Sequence, residues 1–230
     1  MTVVTVEVGD RPLRQINREI RALASTATEI VVTDPLSRHN LAVALTEDTP
    51  VRILGNVGYY CGGLNSGGVI HVEGDCGWGV GEAMARGKIT IDGYAGMSVG
   101  ASMRGGLIHI KGSAGPRCGV AQKGGDIVVE GNIGYLSGFM AHTGRIITLG
   151  DAGDATGDSL WEGAVWVAGD IKSLGVDSHP VEPPAEEVAE VEELLDGLGL
   201  ADSTRDWKKV VSGQRLWYFE SRDSSAWLMI

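Results

Sequence analysis

Cysteine, proline and phenylalanine are scarce in this chain: three, seven and two among 230 residues. Three cysteines cannot all pair, so a disulfide framework is excluded as the main source of stability, and reduced thiols in a cytoplasmic protein are expected. With so few prolines, and no glycine at every third position, a collagen-like chain is excluded as well. Basic residues are also short, 19 Lys and Arg against 30 Asp and Glu, for a formal charge of −11. That balance argues against a nucleic-acid backbone as partner, because such binding is driven by clustered cations. No uninterrupted apolar run reaches the roughly 18 residues that a membrane helix needs. The first residues, MTVVTVEVGDRPLRQ, place Glu7 and Asp10 ahead of any long apolar stretch, unlike a secretory signal.

Much of the negative charge belongs to one stretch, since residues 177–206 hold ten acidic residues and one basic residue. What the chain has in excess is glycine, 35 residues, and 31 of these fall between Gly55 and Gly175. Apolar residues make up 43 %, enough to bury a core rather than leave a disordered chain. The glycines therefore need an architectural explanation.

They recur every 19 residues. Gly55, Gly74, Gly93, Gly112, Gly131, Gly150 and Gly169 lead each unit, and parallel columns start at Gly58, Gly62 and Gly68, so each unit reads GxxGxxxG with a further glycine six residues on. Ahead of each leading glycine stands an alternating pair: Val51/Ile53, Ile70/Val72, Ile89/Ile91, Ile108/Ile110, Ile127/Val129, Ile146/Thr148 and Val165/Val167. Alternating β-branched residues mark a short strand with one buried face. Identical short strands at a fixed period stack in parallel about 4.8 Å apart, each pairing with its neighbours. The expected fold is all-β: a single-stranded, right-handed parallel β-helix of about seven coils with helical N- and C-terminal extensions.

The same repeat logic assigns further columns. Val57, Cys76, Ala95, Ala114, Ile133 and Ala152 form one inward column, and Cys61, Val80, Val99, Cys118, Ser137 and Thr156 another. Residues 1–50 read as an N-terminal cap, with a helix opened by Asp10 near Arg11 and Pro12, a strand at Glu29 to Thr33, and a short helix or turn from Ser37 to Leu45, together covering the first coil. Residues 51–176 are the β-helix. Residues 177–206 are an acidic linker and helix, whose apolar side (Val188, Val191, Leu194, Leu195, Leu198) is expected to cover the last coil. Residues 207–230 are an aromatic tail.

The residues that could carry chemistry do not assemble into a catalytic set. The glycine runs lead into strands rather than into a helix, unlike a dinucleotide-binding turn. Cys61 and Cys118 lie three coils apart, roughly 14 Å at the strand spacing, too far for joint metal ligation, and Cys76 is in another column. His71 and His109 are two coils apart, about 10 Å, and His39, His142 and His179 have no ligand or carboxylate partner at a recognisable spacing. Asp151, Asp154 and Asp158 match no calcium loop and read as a solvated face. No catalytic, cofactor or metal residue is assigned.

Two features point to partners instead. The residue after each second glycine is Tyr59, Trp78, Met97, Pro116, Tyr135 and Asp154, an outward stripe that either steadies the rod or docks another protein. The tail concentrates Trp207, Trp217, Tyr218, Phe219 and Trp227, which either pack on the rod or anchor another subunit.

These coils, with ILGNVGYYCGGLNSGGVIHVEGDCGWGVGEAM and the later DIVVEGNIGYLSGFMAHTGRIITLGDAGDATGDSLWEGAVWVAGDIKSLG, resemble the GXGXG β-helix domain of the glutamate synthase large subunit over about residues 10 to 180. The similarity is greater to free-standing versions, such as the β-helix subunit of N-methylglutamate synthases (methylamine–glutamate N-methyltransferases). The resemblance implies a scaffold subunit without its own active site, partnered by a glutamine-amidotransferase-like subunit and by a synthase-like subunit that holds FMN and an iron–sulfur cluster, with a higher oligomer as a further implication. Related glycine coils occur in a β-helix subunit of formylmethanofuran dehydrogenase and of the formyltransferase/hydrolase complex, the second reading. A stand-alone carbohydrate-active β-helix is the third. It predicts an outward groove with paired carboxylates, which no column supplies.

Overall fold

A computed structural model describes residues 2–213. Among these residues eleven strands form one sheet, with two helices outside it. The chain runs β1 (Val3–Glu7), α1 (Leu13–Leu23), β2 (Glu29–Thr33), β3 (Pro50–Ile53), β4 (Ser66–Val72), β5 (Arg86–Ile91), β6 (Leu107–Ile110), β7 (Lys123–Val129), β8 (Thr143–Thr148), β9 (Ala164–Val167), β10 (Ser178–Val181), α2 (Ala185–Asp196) and β11 (Lys208–Ser212). Strands β1 to β9 pair in parallel in sequence order, one per coil, as a β-helix requires.

The repeat in the sequence becomes register in space. Val51, Ile70, Ile89, Ile108, Ile127, Ile146 and Val165 are successive partners across β3 to β9, and all are buried. Val57, Cys76, Ala95, Ala114, Ile133 and Ala152 pair in parallel from coil to coil, and the Cys61-to-Thr156 column is fully buried. Its two hydroxyls satisfy themselves locally, Ser137 Oγ donating to the Gly134 carbonyl at 2.8 Å and Thr156 Oγ1 to that of Gly153 at 3.0 Å. A further interior column, Asn65, Met84, Met103, Gln122, Ala141 and Leu160, completes the core.

Glycine serves two physical purposes here. At Gly81 the backbone has φ +66° and an added Cβ would stand 2.5 Å from Ile108 Cδ1, so both dihedral and space demand glycine. At Gly96 φ is not positive, but a Cβ would lie 2.9 Å from the Gly77 carbonyl carbon of the preceding coil. Neighbouring coils approach too closely there for a side chain.

The ends differ from the expectation in three ways. α1 begins at Leu13 with Pro12 at the cap position and no side-chain cap, so Asp10 does not open it; Pro12, at φ −59°, sets the entry instead. The stretch Ser37 to Leu45 is neither helix nor simple turn. Together with β2 it forms a further coil, in which Ser37, Asn40 and Ala44 donate backbone N–H bonds to Asn56, Tyr59 and Gly63 of the next. Its corners use non-glycine residues in the left-handed region, including Leu36, Asn40 and Ala42, which is why no glycine period betrays it.

The third difference concerns α2. It does not cover the last coil. It lies on the outer face of the sheet, where Val191 and Leu195 join Val128, Ile147, Trp166 and Trp207 in a second core. The outward column of β7, β8 and β9 is apolar at those three residues and must be covered. The last coil is closed instead by β11, which pairs antiparallel with β9 and carries β10 on its other edge; the buried Val210 stands where a Cβ on Gly157 would meet it at 2.9 Å.

Candidate functional site

The outward stripe is the feature with the most exposed bulk. Tyr59, Trp78 and Tyr135 are 47, 63 and 52 % exposed, Pro116 is exposed, and Met97 and Asp154 are half-buried. The surface beneath is paved with glycine: the Trp78 ring lies where a Cβ on Gly96 would meet it at 2.8 Å, and the Tyr94 hydroxyl where one on Gly115 would meet it at 2.6 Å. His39 stacks on Tyr59 with ring centroids 3.9 Å apart, and its Nδ1 accepts the Tyr59 backbone N–H at 3.1 Å. Trp78 and Tyr94 thus lie against glycines of the next coil and Tyr59 against His39, while each residue stays about half exposed.

Sequence reasoning missed Tyr94, which is 46 % exposed and widens the stripe. It stands in the column after the leading glycine, otherwise Asn56, Asp75, Ser113, Asn132, Asp151 and Asp170. Those side chains form a ladder along the rod. Asn56 accepts from the Asp75 backbone N–H at 2.8 Å, Asp75 from Tyr94 at 2.7 Å, Ser113 from Asn132 at 3.0 Å, Asn132 from Asp151 at 2.8 Å and Asp151 from Asp170 at 2.8 Å. Tyr94 cannot accept in that way, so the ladder breaks at the one aromatic residue. That break in a column of short polar residues is the signal that could have found it.

The carboxylates read as a solvated face turn out to be structural acceptors. Asp154 takes the Lys172 ammonium at 2.7 Å and the Ser173 hydroxyl, which keeps its carboxyl below the usual range. Asp158 accepts from the Val176 N–H at 3.0 Å. Each points to a different rung, and the three do not converge on an ion. Among the described residues, no three His, Cys, Asp or Glu side chains group as metal ligands would.

The cysteines are buried fillers, as read from the sequence, and burial pushes the Cys61 and Cys118 thiols up to about 12 and that of Cys76 well above its ordinary value. The histidines are dispersed. His71 meets Asp92 at 2.9 Å, where Lys111 also binds; His109, nearly buried, meets Glu130 at 2.9 Å; His142 stacks on Trp161. A groove of about 370 Å³ between α2 and the sheet is lined by residues that include Arg145, Glu162, Trp166, Glu187 and Lys209, and both of its cations are already paired, Arg145 with Asp126 at 2.7 Å and Lys209 with Glu187.

Trp207 stands apart from the exposed aromatics. It is 6 % exposed, meets Trp166 edge-on and donates its Nε1–H to Glu192 at 2.9 Å, so it packs on the rod. Trp217, Tyr218, Phe219 and Trp227 lie outside the described residues. No helix among the described residues is long and apolar enough to cross a membrane.

Comparison with known proteins agrees with this architecture. A family model described as the GXGXG motif matches residues 10–195. Protein GlxC of Rhizobium meliloti (strain 1021) is 40 % identical over 70 residues, which are 30 % of this chain and 31 % of GlxC, so the match spans about a third of that relative. Among solved structures, a chain of the formyltransferase/hydrolase complex (FhcABCD) from Methylorubrum extorquens in complex with methylofuran aligns over 68 % of this chain and 69 % of its own, with 27 % identity and a TM-score of 0.54.

Proposed function

Because the chain belongs to the GXGXG family, we propose that it is a non-catalytic scaffold subunit of a glutamate-synthase-like multi-subunit enzyme, of the N-methylglutamate synthase type, which makes N-methylglutamate and ammonia from methylamine and glutamate. In this reading the chain joins a glutamine-amidotransferase-like subunit to a subunit that holds FMN and an iron–sulfur cluster, and those partners carry the chemistry. The observation that carries it is the stripe of Tyr59, Trp78, Tyr94 and Tyr135, large aromatic residues about half exposed along the rod, of which Trp78 and Tyr94 lie over glycines of the next coil. Exposed aromatic rings on a rigid support are what a protein interface uses as anchors.

Purification of the chain from its native host under low salt, followed by mass spectrometry and an absorption spectrum, tests the proposal. The expected result is co-elution with an amidotransferase-like chain and a flavin-containing chain. A chain that elutes alone, colourless and monomeric, overturns it.

A second reading has an observation of its own, the alignment with a chain of the formyltransferase/hydrolase complex. It makes the chain a β-helix subunit in one-carbon transfer. The same purification separates the two, since formyltransferase or hydrolase chains then appear in place of the flavoprotein.

A further inference from the structure

We propose that the N-terminal end of the rod is a strand-addition site for an extended, acidic segment of a partner protein. β1 is the terminal strand of the sheet, with β2 on one side and no strand among the described residues on the other. The Thr28 N–H bonds to the Thr2 carbonyl and the Val8 N–H to the Thr33 carbonyl, so even-numbered residues of this strand face β2. The alternation turns the backbone groups of Val3, Thr5 and Glu7 away from the sheet. Of these, the Glu7 carbonyl is covered by Arg11 Nη1 at 2.7 Å. Val3 and Thr5 have no backbone partner on that side among the described residues, which is the chemistry that recruits an added strand.

The opposite edge is guarded. β10 carries Pro180, which lacks a donor. Nothing comparable protects β1, whose sequence VVTVE has neither proline nor lysine.

Charge selects the occupant. α1 lies against β1, and its Ile16 and Ile20 share the core that holds Val6, so the helix sits on the inward side of the strand. Its outer face exposes Arg14 and Arg18, one turn apart, and neither forms an ion pair with another described residue. Like charges at that spacing weaken an isolated helix, and they stand on a chain whose net charge is −11. A second copy pairing through β1 would bring two such arginine-bearing helices to one junction. A strand with Asp or Glu on the side toward α1 would meet them favourably. The inference does not rest on the enzyme named above: loss of that assignment leaves the free edge and its arginines in place.

Binding of two fluorescein-labelled peptides to the full chain tests it by anisotropy, one alternating Val and Glu, the other alternating Val and Lys. The Glu peptide is expected to bind at least tenfold more tightly, to weaken at least tenfold between 50 and 500 mM NaCl as exposed charges are screened, and to slow amide exchange at Thr5 and Glu7. Thr5→Pro removes an N–H that bonds to no other described residue, so it should cost at least tenfold in binding with an unchanged melting temperature. The double variant Arg14→Glu/Arg18→Glu, which leaves the strand intact, should reverse the peptide preference. Equal binding of both peptides, binding of neither, or indifference to these variants overturns the proposal. So does a dimer of the chain that Thr5→Pro dissociates, which would make the occupant a second copy.

Discussion

Trp207, the residue just before β11, meets Trp166 of β9 edge-on, with ring centroids 6.1 Å apart and planes at 81°. The Trp207 indole N–H donates to Glu192 on α2, so a single side chain ties the antiparallel closing strand, the outer face of the rod and the acidic helix together. Arg205 reinforces the junction from Glu192 at 3.1 Å.

Trp207→Ala should therefore cost about 3–5 kcal/mol, the usual range for deleting a buried Trp. Trp207→Phe keeps the apolar contact and removes only one of the donors to Glu192, which Arg205 still binds, and should cost less. Urea unfolding measures both, and α2 should lose amide-exchange protection before β3 to β8 in the Ala variant.

Gly81→Ala combines left-handed strain of about 1–2 kcal/mol with overpacking of about 1–3 kcal/mol against Ile108. Gly199, at φ +75° with nothing within 4 Å of an added Cβ, bears only the strain. The melting temperature of Gly81→Ala should fall clearly further than that of Gly199→Ala. Equal losses would mean that close packing contributes nothing at the corner.

His109 gives the rod a pH dependence. Burial, the larger effect, pushes its pKa down, while Glu130 partly opposes this. The unfolded chain takes up that proton near 6.5, whereas the folded chain resists it to lower pH. Fewer protons are bound when folded, so this contribution is complete above about 6.5 and is lost as pH falls toward the folded value. His142 is lowered as well, by burial and then by Lys123, and acts in the same direction. Melting temperature should fall between pH 7.5 and 5.5, and the pair of variants His109→Gln and His142→Gln should flatten that slope.

The three thiols should resist alkylation. With Cys61 and Cys118 pushed up to about 12 and all three buried, iodoacetamide at pH 8 should modify none of them in the native chain and all of them in denaturant. Labelling of any one before unfolding would show local opening of its coil.

Trp78→Ser/Tyr135→Ser separates docking from support. Both rings are more than half exposed, so the melting temperature should shift by little while co-purification with partner subunits is lost. A large fall in melting temperature with intact assembly would make the stripe a brace for the rod.

The legible parts of this protein are those that repeat. A residue in one coil has its counterpart 19 positions on in an equivalent environment, so columns such as Val57 to Ala152 disclose their burial by composition alone. The first coil escaped because Leu36, Asn40 and Ala42 take left-handed corners without glycine. The Asn, Asp and Ser ladder escaped because short polar residues look solvated until the neighbouring backbone N–H is placed beside them. Tyr94 was hidden by the same column.

The amino-acid sequence by itself determined the period, the parallel pairing and the inward faces, since stacked identical coils can bury alternating β-branched residues in only one register. Tertiary structure alone decided where the ends go. The amphipathic pattern of α2 says that one side must be covered but not by what. Only after the coils stack do Val128, Ile147 and Trp166 become one apolar surface, which draws α2 to the side of the rod and leaves β11 to close the last coil.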